Sequence, residues 1–346
     1  MKIVGLIAEY NPFHNGHLYH IKKAKEITGA DAVIVVMSGD FVQRGAPAIM
    51  PKHIRTEVAL EAGVPLVLEL PVCFSTGSAE YFAAGAISLF EHLGCIDSIC
   101  FGSECGDYDT LEKIARTVTE EPQDYKALLK RFLSQGISFP LARQWALKEY
   151  FHDDNLSKVL EQPNNILGIE YLKALHKQNS SMKACTIKRI VSDYHDDSLN
   201  SGYSSASAIR KLLAHAGHSI HLEDHARTSS GMFDEPSLSE VLMRLEQEVP
   251  KSCIRFLEDT HYIRYPVYSN DFSALLGYKL LTETYESLTE YLDVNEELAN
   301  RILRHSNHLI TIDQFCQLLK TKDTTYARIS RCLFHILLDI KQSHMD

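Results

Sequence analysis

A chain of 346 residues is long enough for roughly two domains, and 45% hydrophobic with 23% charged residues is the balance of an ordinary globular protein. The 35 Lys+Arg against 45 Asp+Glu give a net charge of −10, which excludes a global basic field and leaves any polyanion only a local basic face. No stretch approaches the ~20 uninterrupted apolar residues of a membrane span, and the opening Met1-Lys2-Ile3-Val4-Gly5-Leu6-Ile7 lacks an export segment with a cleavage site, so a cytoplasmic protein with no membrane partner is expected.

The eight cysteines, at 73, 95, 100, 105, 185, 253, 316 and 332, include no C-x-x-C pair. Disulfide framework and zinc ribbon are both poor readings, and no metal site is expected. Short apolar runs at 3–8, 32–37, 66–70 and 98–101, with a fifth at 185–191, read as parallel strands buried on both faces. Helical patterns separate them at about 16–28, 51–62, 78–93 and 110–118. This rhythm predicts an α/β fold with a doubly wound, parallel five-stranded sheet of Rossmann-like type.

An inserted helical stretch at about 120–180 reads as three helices, near 123–133, 140–151 and 165–176. A further helix is expected over 202–213, behind a serine-rich start. Residues 215–236 turn polar, with Thr228-Ser229-Ser230-Gly231 among them, and everything after Ser237 reads as helix. The expected division is therefore a catalytic domain at 1–215, a linker at 216–236 and a mainly helical domain at 237–346. Residues 301–341 hold Arg301, Arg304, Lys320, Lys322, Arg328, Arg331 and Lys341 against Asp313, Asp323 and Asp339, a local +4 that leaves −14 for the rest. Either a polyanion-binding face or a solvated helical surface has that composition.

The sharpest chemistry follows the first strand, in Asn11-Pro12-Phe13-His14-Asn15-Gly16-His17-Leu18-Tyr19-His20. Gly16 permits close backbone approach to a ligand. The free N–H groups of a helix start favour phosphate. His14 and His17 are placed to donate hydrogen bonds to triphosphate oxygens as charge builds during transfer.

This block resembles the HxGH nucleotidyltransferase superfamily, and further motifs narrow the resemblance to the tRNA(Met) cytidine acetate ligase family. They are Ser38-Gly39-Asp40-Phe41-Val42-Gln43-Arg44-Gly45-Ala46-Pro47-Ala48 with Lys52 and Arg55, then Leu68-Glu69-Leu70-Pro71, Phe101-Gly102-Ser103-Glu104, and Pro163-Asn164-Asn165-Ile166-Leu167-Gly168-Ile169-Glu170-Tyr171. The resemblance implies ATP-dependent acetylation of the wobble cytidine of elongator tRNA(Met), through acetyl-AMP, with release of pyrophosphate and then AMP. ATP would bring Mg2+ as its counter-ion. It also implies ATP contacts at Ile7, Ala8, Glu9, Tyr10, Asn11, Pro12, Phe13, His14, Asn15, Gly16, His17, Leu18, Tyr19 and His20, at Gly102, at Asn164 and Asn165, and at Arg189.

Each companion residue also has a plainer reading. Gly102 at the carboxyl edge of a parallel strand admits adenine or ribose, or is a turn glycine. Asn164 and Asn165 offer amide hydrogen bonds, or cap a helix. Arg189 meets phosphate bidentately, or lies on the surface. Asp40, Arg44 and Lys52 are candidates for catalysis: Arg44 or Lys52 to hold acetate or orient tRNA, Asp40 to assist proton removal or contact a magnesium ion through water, with ion pairing and capping as alternatives. Ser205, Ser207 and Arg210 resemble the second nucleotidyltransferase signature, at a helix start that serine also caps.

The C-terminal part resembles the family less. Arg328 and Arg331 lie in a family-like segment and are expected to contact RNA. Lys322-Asp323-Thr324-Thr325, however, stands where the family carries Lys-Arg-Tyr-Thr, losing a cation and a ring able to stack on bases. The family also carries a further segment beyond the position of Asp346. Two rival readings are a small-molecule adenylyltransferase of the same fold and a non-catalytic nucleotide- or RNA-binding protein. The large helical part stands against the first, the retained His14, His17, Arg189, Ser205 and Arg210 against the second.

Overall fold

The computed structural model describes residues 1–189, 204–214, 216 and 236–345. Five parallel strands, β1 (Ile3–Ala8), β2 (Ala32–Ser38), β3 (Leu66–Leu70), β4 (Ser98–Ser103) and β5 (Lys183–Lys188), form a sheet of order β3-β2-β1-β4-β5. The central strands are apolar apart from serines at their ends (Ser38, Ser98 and Ser103), because helices cover both faces; the edge strands admit exposed Leu66, Glu69, Lys183 and Lys188. β1 pairs with β2 from Ile3↔Ala32 to Ala8↔Met37, and β4 with β5 from Ser98↔Lys183 to Ser103↔Lys188. The chain order reverses between β1 and β4, so the crevice beyond their carboxyl ends is the switch point where such sheets bind ligands.

Alternation along the strands sends side chains to two cores. On one face Val4, Leu6, Val33 and Val35 pack with Ile21, Ile54, Val58 and Ile209. On the other, Ile3, Ile34, Val36 and Ile99 pack with Phe82, Ile87, Ile114, Leu147, Ile169 and Leu172. The inserted helices Gln123–Ser134, Phe139–Phe151 and Pro163–Lys177 thus belong to the second core, joined by a short helix Asn155–Glu161 that the periodicity does not predict.

The hydrophobic clusters depart from the expected domain division. Val241, Leu245, Cys253, Leu257 and Tyr265, from helices Leu238–Leu245 and Lys251–Thr260 and the turn after them, pack into the first sheet core. A separate cluster forms only from Leu276 to Ile336. Polar loop composition marks where the chain leaves an element, but not where the next apolar face docks. Of the expected linker, only Ala216 and Pro236 lie among the described residues. β5 begins two residues before its expected start, and positions 190–191 of that expectation, like 202–203 of the later helix, lie outside the described residues.

A candidate nucleotide site at the switch point

The site is built on the turn leaving β1. Tyr10 holds a left-handed backbone (φ 47°), and the Asn11–Pro12 peptide is cis. Asn11 braces the turn on both sides: its Oδ1 accepts from Ile49 N at 2.8 Å, and its carbonyl accepts from Arg210 Nη1 at 2.7 Å. Tyr10 and Phe13 are buried, with ring centroids 4.9 and 5.5 Å from that of His17. They form the floor under the histidines.

Helix Asn15–Thr28 starts on a cap made of two histidines. His14 Nδ1 accepts from Gly16 N at 3.0 Å, and His17 Nδ1 accepts from His14 N at 3.2 Å. The two rings stack 3.8 Å apart. A Cβ on Gly16 would sit 2.8 Å from His14 Cε1, so glycine is required there by the ring of the preceding histidine. Because each Nδ1 accepts a backbone N–H, the proton of each neutral ring resides on Nε2. Burial, reinforced by the charges of Arg189 and Arg210, lowers the His14 pKa to about 3. Burial and the neighbouring His14, Arg189 and His20 hold His17 well below 6.5, and burial with Arg189 brings His20 to about 4. At neutral pH the pair therefore offers uncharged Nε2–H donors.

Two arginines flank it. Arg189 N donates to Ser103 O at 2.9 Å, and its side chain runs over Gly102, where a Cβ would lie 3.2 Å from Arg189 Cγ. Gly102 makes room for this arginine. Arg189 Nη1 reaches Asn164 Oδ1 at 3.4 Å. Glu104, which carries no assigned role in the motif reading, caps helix Pro163–Lys177 by accepting from Asn164 N, Asn164 Nδ2 and Asn165 N at 3.2, 2.6 and 2.8 Å. Asn165 is committed inward, accepting from Cys105 N at 3.1 Å and donating to Val159 O at 3.0 Å, so Asn164 is the member of the pair beside Arg189. Arg210 Nη2 donates to Ser207 Oγ at 3.1 Å, and Ser205 Oγ accepts from Ala208 N at 3.1 Å as a helix cap.

The remaining candidates lie on the β2 and β3 side. Asp40 Oδ1 accepts from Lys52 N at 2.7 Å, capping helix Lys52–Glu61, while Lys52 Nζ pairs with Glu69 at 2.7 Å. Arg44 is exposed, near enough to Arg210 for the like charges to oppose each other. Arg55, quoted in the motif without a function, is 1% exposed and donates to the carbonyls of Met50 (3.0 Å), Glu9 (2.6 Å), Ser38 (3.1 Å) and Gly39. It ties the ends of β1 and β2 together. Its only sequence signal is its place one turn after Lys52.

Arg328 and Arg331 lie farther on, in helix Tyr326–Leu337. Arg328 Nη2 is 3.5 Å from Asp293 O. The Arg331 side chain is only 15% exposed, with Nε 4.0 Å from Asp293 Oδ2, so it faces protein rather than an open basic surface.

A model of the HIGH nucleotidyl transferase family matches residues 1–346. The tRNA(Met) cytidine acetate ligase of Acetivibrio thermocellus is 42% identical over 348 residues, covering 100% of this chain and 79% of that protein. That of Clostridium perfringens is 40% identical, covering 99% and 80%. The chain belongs to the tRNA(Met) cytidine acetate ligase family. Two solved structures of Thermotoga maritima TmcAL, 32% identical, superpose over 99% of this chain: the apo form with a TM-score of 0.88 and a form bound with alpha-thio ATP with 0.85, at 77% and 76% of their own lengths. Among the described residues, no helix is long and apolar enough to cross a membrane, and no group of three or more His, Cys, Asp or Glu is suited to hold a metal ion.

Proposed function

We propose that the chain is an ATP-dependent ligase that acetylates the wobble cytidine of elongator tRNA(Met). The observation that carries this reading is the His14–His17 pair, two neutral Nε2–H donors at a helix N-terminus in the switch-point crevice, with Arg189 and Arg210 beside it. Family membership and the alpha-thio ATP bound by TmcAL support ATP as the nucleotide.

An acetate oxygen attacks the α-phosphorus, forming acetyl-AMP as the α–β bond breaks and pyrophosphate leaves. The N4 amine of cytidine then attacks the acetyl carbon, loses its proton, and AMP departs. The first step concentrates charge on phosphate oxygens, which His14 and His17 stabilise without protonation and Arg189 and Arg210 neutralise. Gly102 and Asn164 border the nucleotide beside Arg189, and Ser205 and Ser207 support the outer phosphates through the Arg210 helix. Asp40, Arg44 and Lys52 serve the acceptor side: Arg44 and Lys52 supply positive charge for acetate or tRNA, and Asp40 takes up the amine proton. Arg328 and the basic stretch at 301–341 contribute the RNA face, and Mg2+ enters as part of the ATP substrate.

The test is incubation of purified protein with ATP, Mg2+ and labelled acetate, with and without elongator tRNA(Met) transcript, followed by nucleoside mass analysis. Acetylcytidine at the wobble position is expected. ATP consumption without an acetylated nucleoside overturns the acceptor and leaves an adenylyltransferase of another substrate; absence of both overturns the enzyme.

A further inference from the structure

A two-strand hairpin, Phe41–Val42 against Ala46–Pro47, carries Asp40, Gln43 and Arg44. On the nucleotide side, Gln43 N donates to Glu9 Oε1 at 3.0 Å. The opposite contacts come from helix Tyr326–Leu337. Ser330 Oγ, buried, donates to Gly45 O at 2.5 Å. Gly45 has a φ of +70°, and a Cβ there would sit 2.7 Å from Ser330 C, with Arg331 N and Cα nearer still. Backbone meets backbone at this point, and a side chain cannot be inserted without moving one of them. The Phe41 ring packs against Phe272 and Phe334, at 5.7 and 5.6 Å between centroids.

The same helix reaches the hairpin by a second route. His335 Nε2 lies 3.0 Å from Thr76 O, at the end of the short helix Val72–Ser75. From there Ser75 Oγ donates to Phe41 O at 2.9 Å. One helix of the C-terminal cluster therefore holds both the turn and the base of the loop that bears the acceptor-side residues.

We propose that helix Tyr326–Leu337 is a positioning element for the acetyl-transfer half of the reaction, with Ser330 and Gly45 as the positioning residues that set Asp40 and Arg44 relative to the nucleotide crevice. This rests on the function proposed above. The arrangement connects the basic stretch at 301–341 to the chemistry through a single rigid segment, so that RNA seated on the helices meets an already aligned loop. Transfer rates respond steeply to such alignment, about 100-fold for a misplacement near 1 Å.

The test compares wild type, Ser330→Ala and Gly45→Ala by steady-state acetylation kinetics, ATP titration calorimetry and amide hydrogen exchange of the hairpin, whose Gly45 N donates to Val42 O at 2.9 Å. Ser330→Ala is expected to lower kcat about tenfold and Gly45→Ala about 100-fold, with ATP affinity within about twofold of wild type and faster hairpin exchange. Ser330→Ala keeps the proposal testable if Gly45→Ala fails to fold. Unchanged kcat or unchanged exchange in Ser330→Ala overturns it, as does ATP affinity falling in step with kcat, which marks a general packing role. A wild type that exchanges normally yet makes no acetylcytidine overturns the proposed function instead.

Discussion

Histidines are buried in two regions of this molecule, and the backbone around each dictates opposite use of the same ring. At the start of helix Asn15–Thr28, the surplus of N–H groups makes His14 and His17 accept through Nδ1. The remaining Nε2–H is then the group available to a ligand. In helix Tyr326–Leu337, His335 is fully buried with Nδ1 2.9 Å from Leu292 O and Nε2 3.0 Å from Thr76 O. Two carbonyls ask for donors, and a neutral ring supplies one at a time. Burial lowers the His335 pKa, opposed by those carbonyls and by Asp293. A ring facing donors presents a hydrogen bond outward; a ring between acceptors spends its one donor inward, on one or the other of two segments.

The largest expected effect tests the outward donors. His17→Ala removes one Nε2–H and also the acceptor for His14 N, and is expected to cut kcat for acetylcytidine formation by about 100- to 1,000-fold. The lost cap costs about 1 kcal/mol of stability, which leaves the fold intact. Initial rates with a thermal melt on the same sample check both. A folded variant turning over near the wild-type rate removes His17 from catalysis and collapses the contrast with His335.

The second effect is on stability. His335→Ala leaves Leu292 O and Thr76 O without their buried partner, at a cost of about 3 kcal/mol in urea unfolding. ATP affinity measured by calorimetry is expected to stay within about twofold of wild type, because this ring ties segments and meets no ligand. A marked loss of ATP binding would instead place His335 in one functional unit with His17.

What the sequence discloses follows the same division. Strands β1 and β3 match their expected limits: β1 is a continuous apolar run in the middle of a doubly wound sheet, and β3, an edge strand that exposes Leu66 and Glu69, is bounded by Pro65 and Pro71. The His14–Gly16–His17 block is legible because its spacing is local, within one helical turn. Its tautomers are not, since they depend on which backbone groups each ring meets. Arg55 is illegible for a related reason: a cation on an amphipathic helix reads as surface, yet its partners Glu9, Ser38, Gly39 and Met50 are carbonyls, which leave no mark in a sequence. The placement of helices Leu238–Leu245 and Lys251–Thr260 on the sheet fails likewise, because an apolar face does not state what it packs against. Arg331 reads as an RNA contact from its charge and its family-like segment, whereas Asp293, distant in sequence, draws its side chain inward.

The smallest expected effect separates neutral capping from charge. His14 titrates at about 3 in the folded protein against 6.5 for an ordinary histidine, so between those values the unfolded chain binds the extra proton. Stability is therefore complete above pH 6.5 and falls as the pH drops toward 3, by up to about 1.4 kcal/mol per pH unit for this one group. Asparagine caps a helix well and does not titrate, so His14→Asn keeps an acceptor for Gly16 N while removing the proton site. Urea unfolding at pH 7 and pH 5 is expected to show the wild type losing about 2 kcal/mol more than His14→Asn over that interval. Equal losses would mean that His14 accepts a proton in place, and that the crevice holds an imidazolium after all. The pair would then bind phosphate by charge, the role proposed for Arg189 and Arg210, and the distinction between its rings and His335 would rest on position alone.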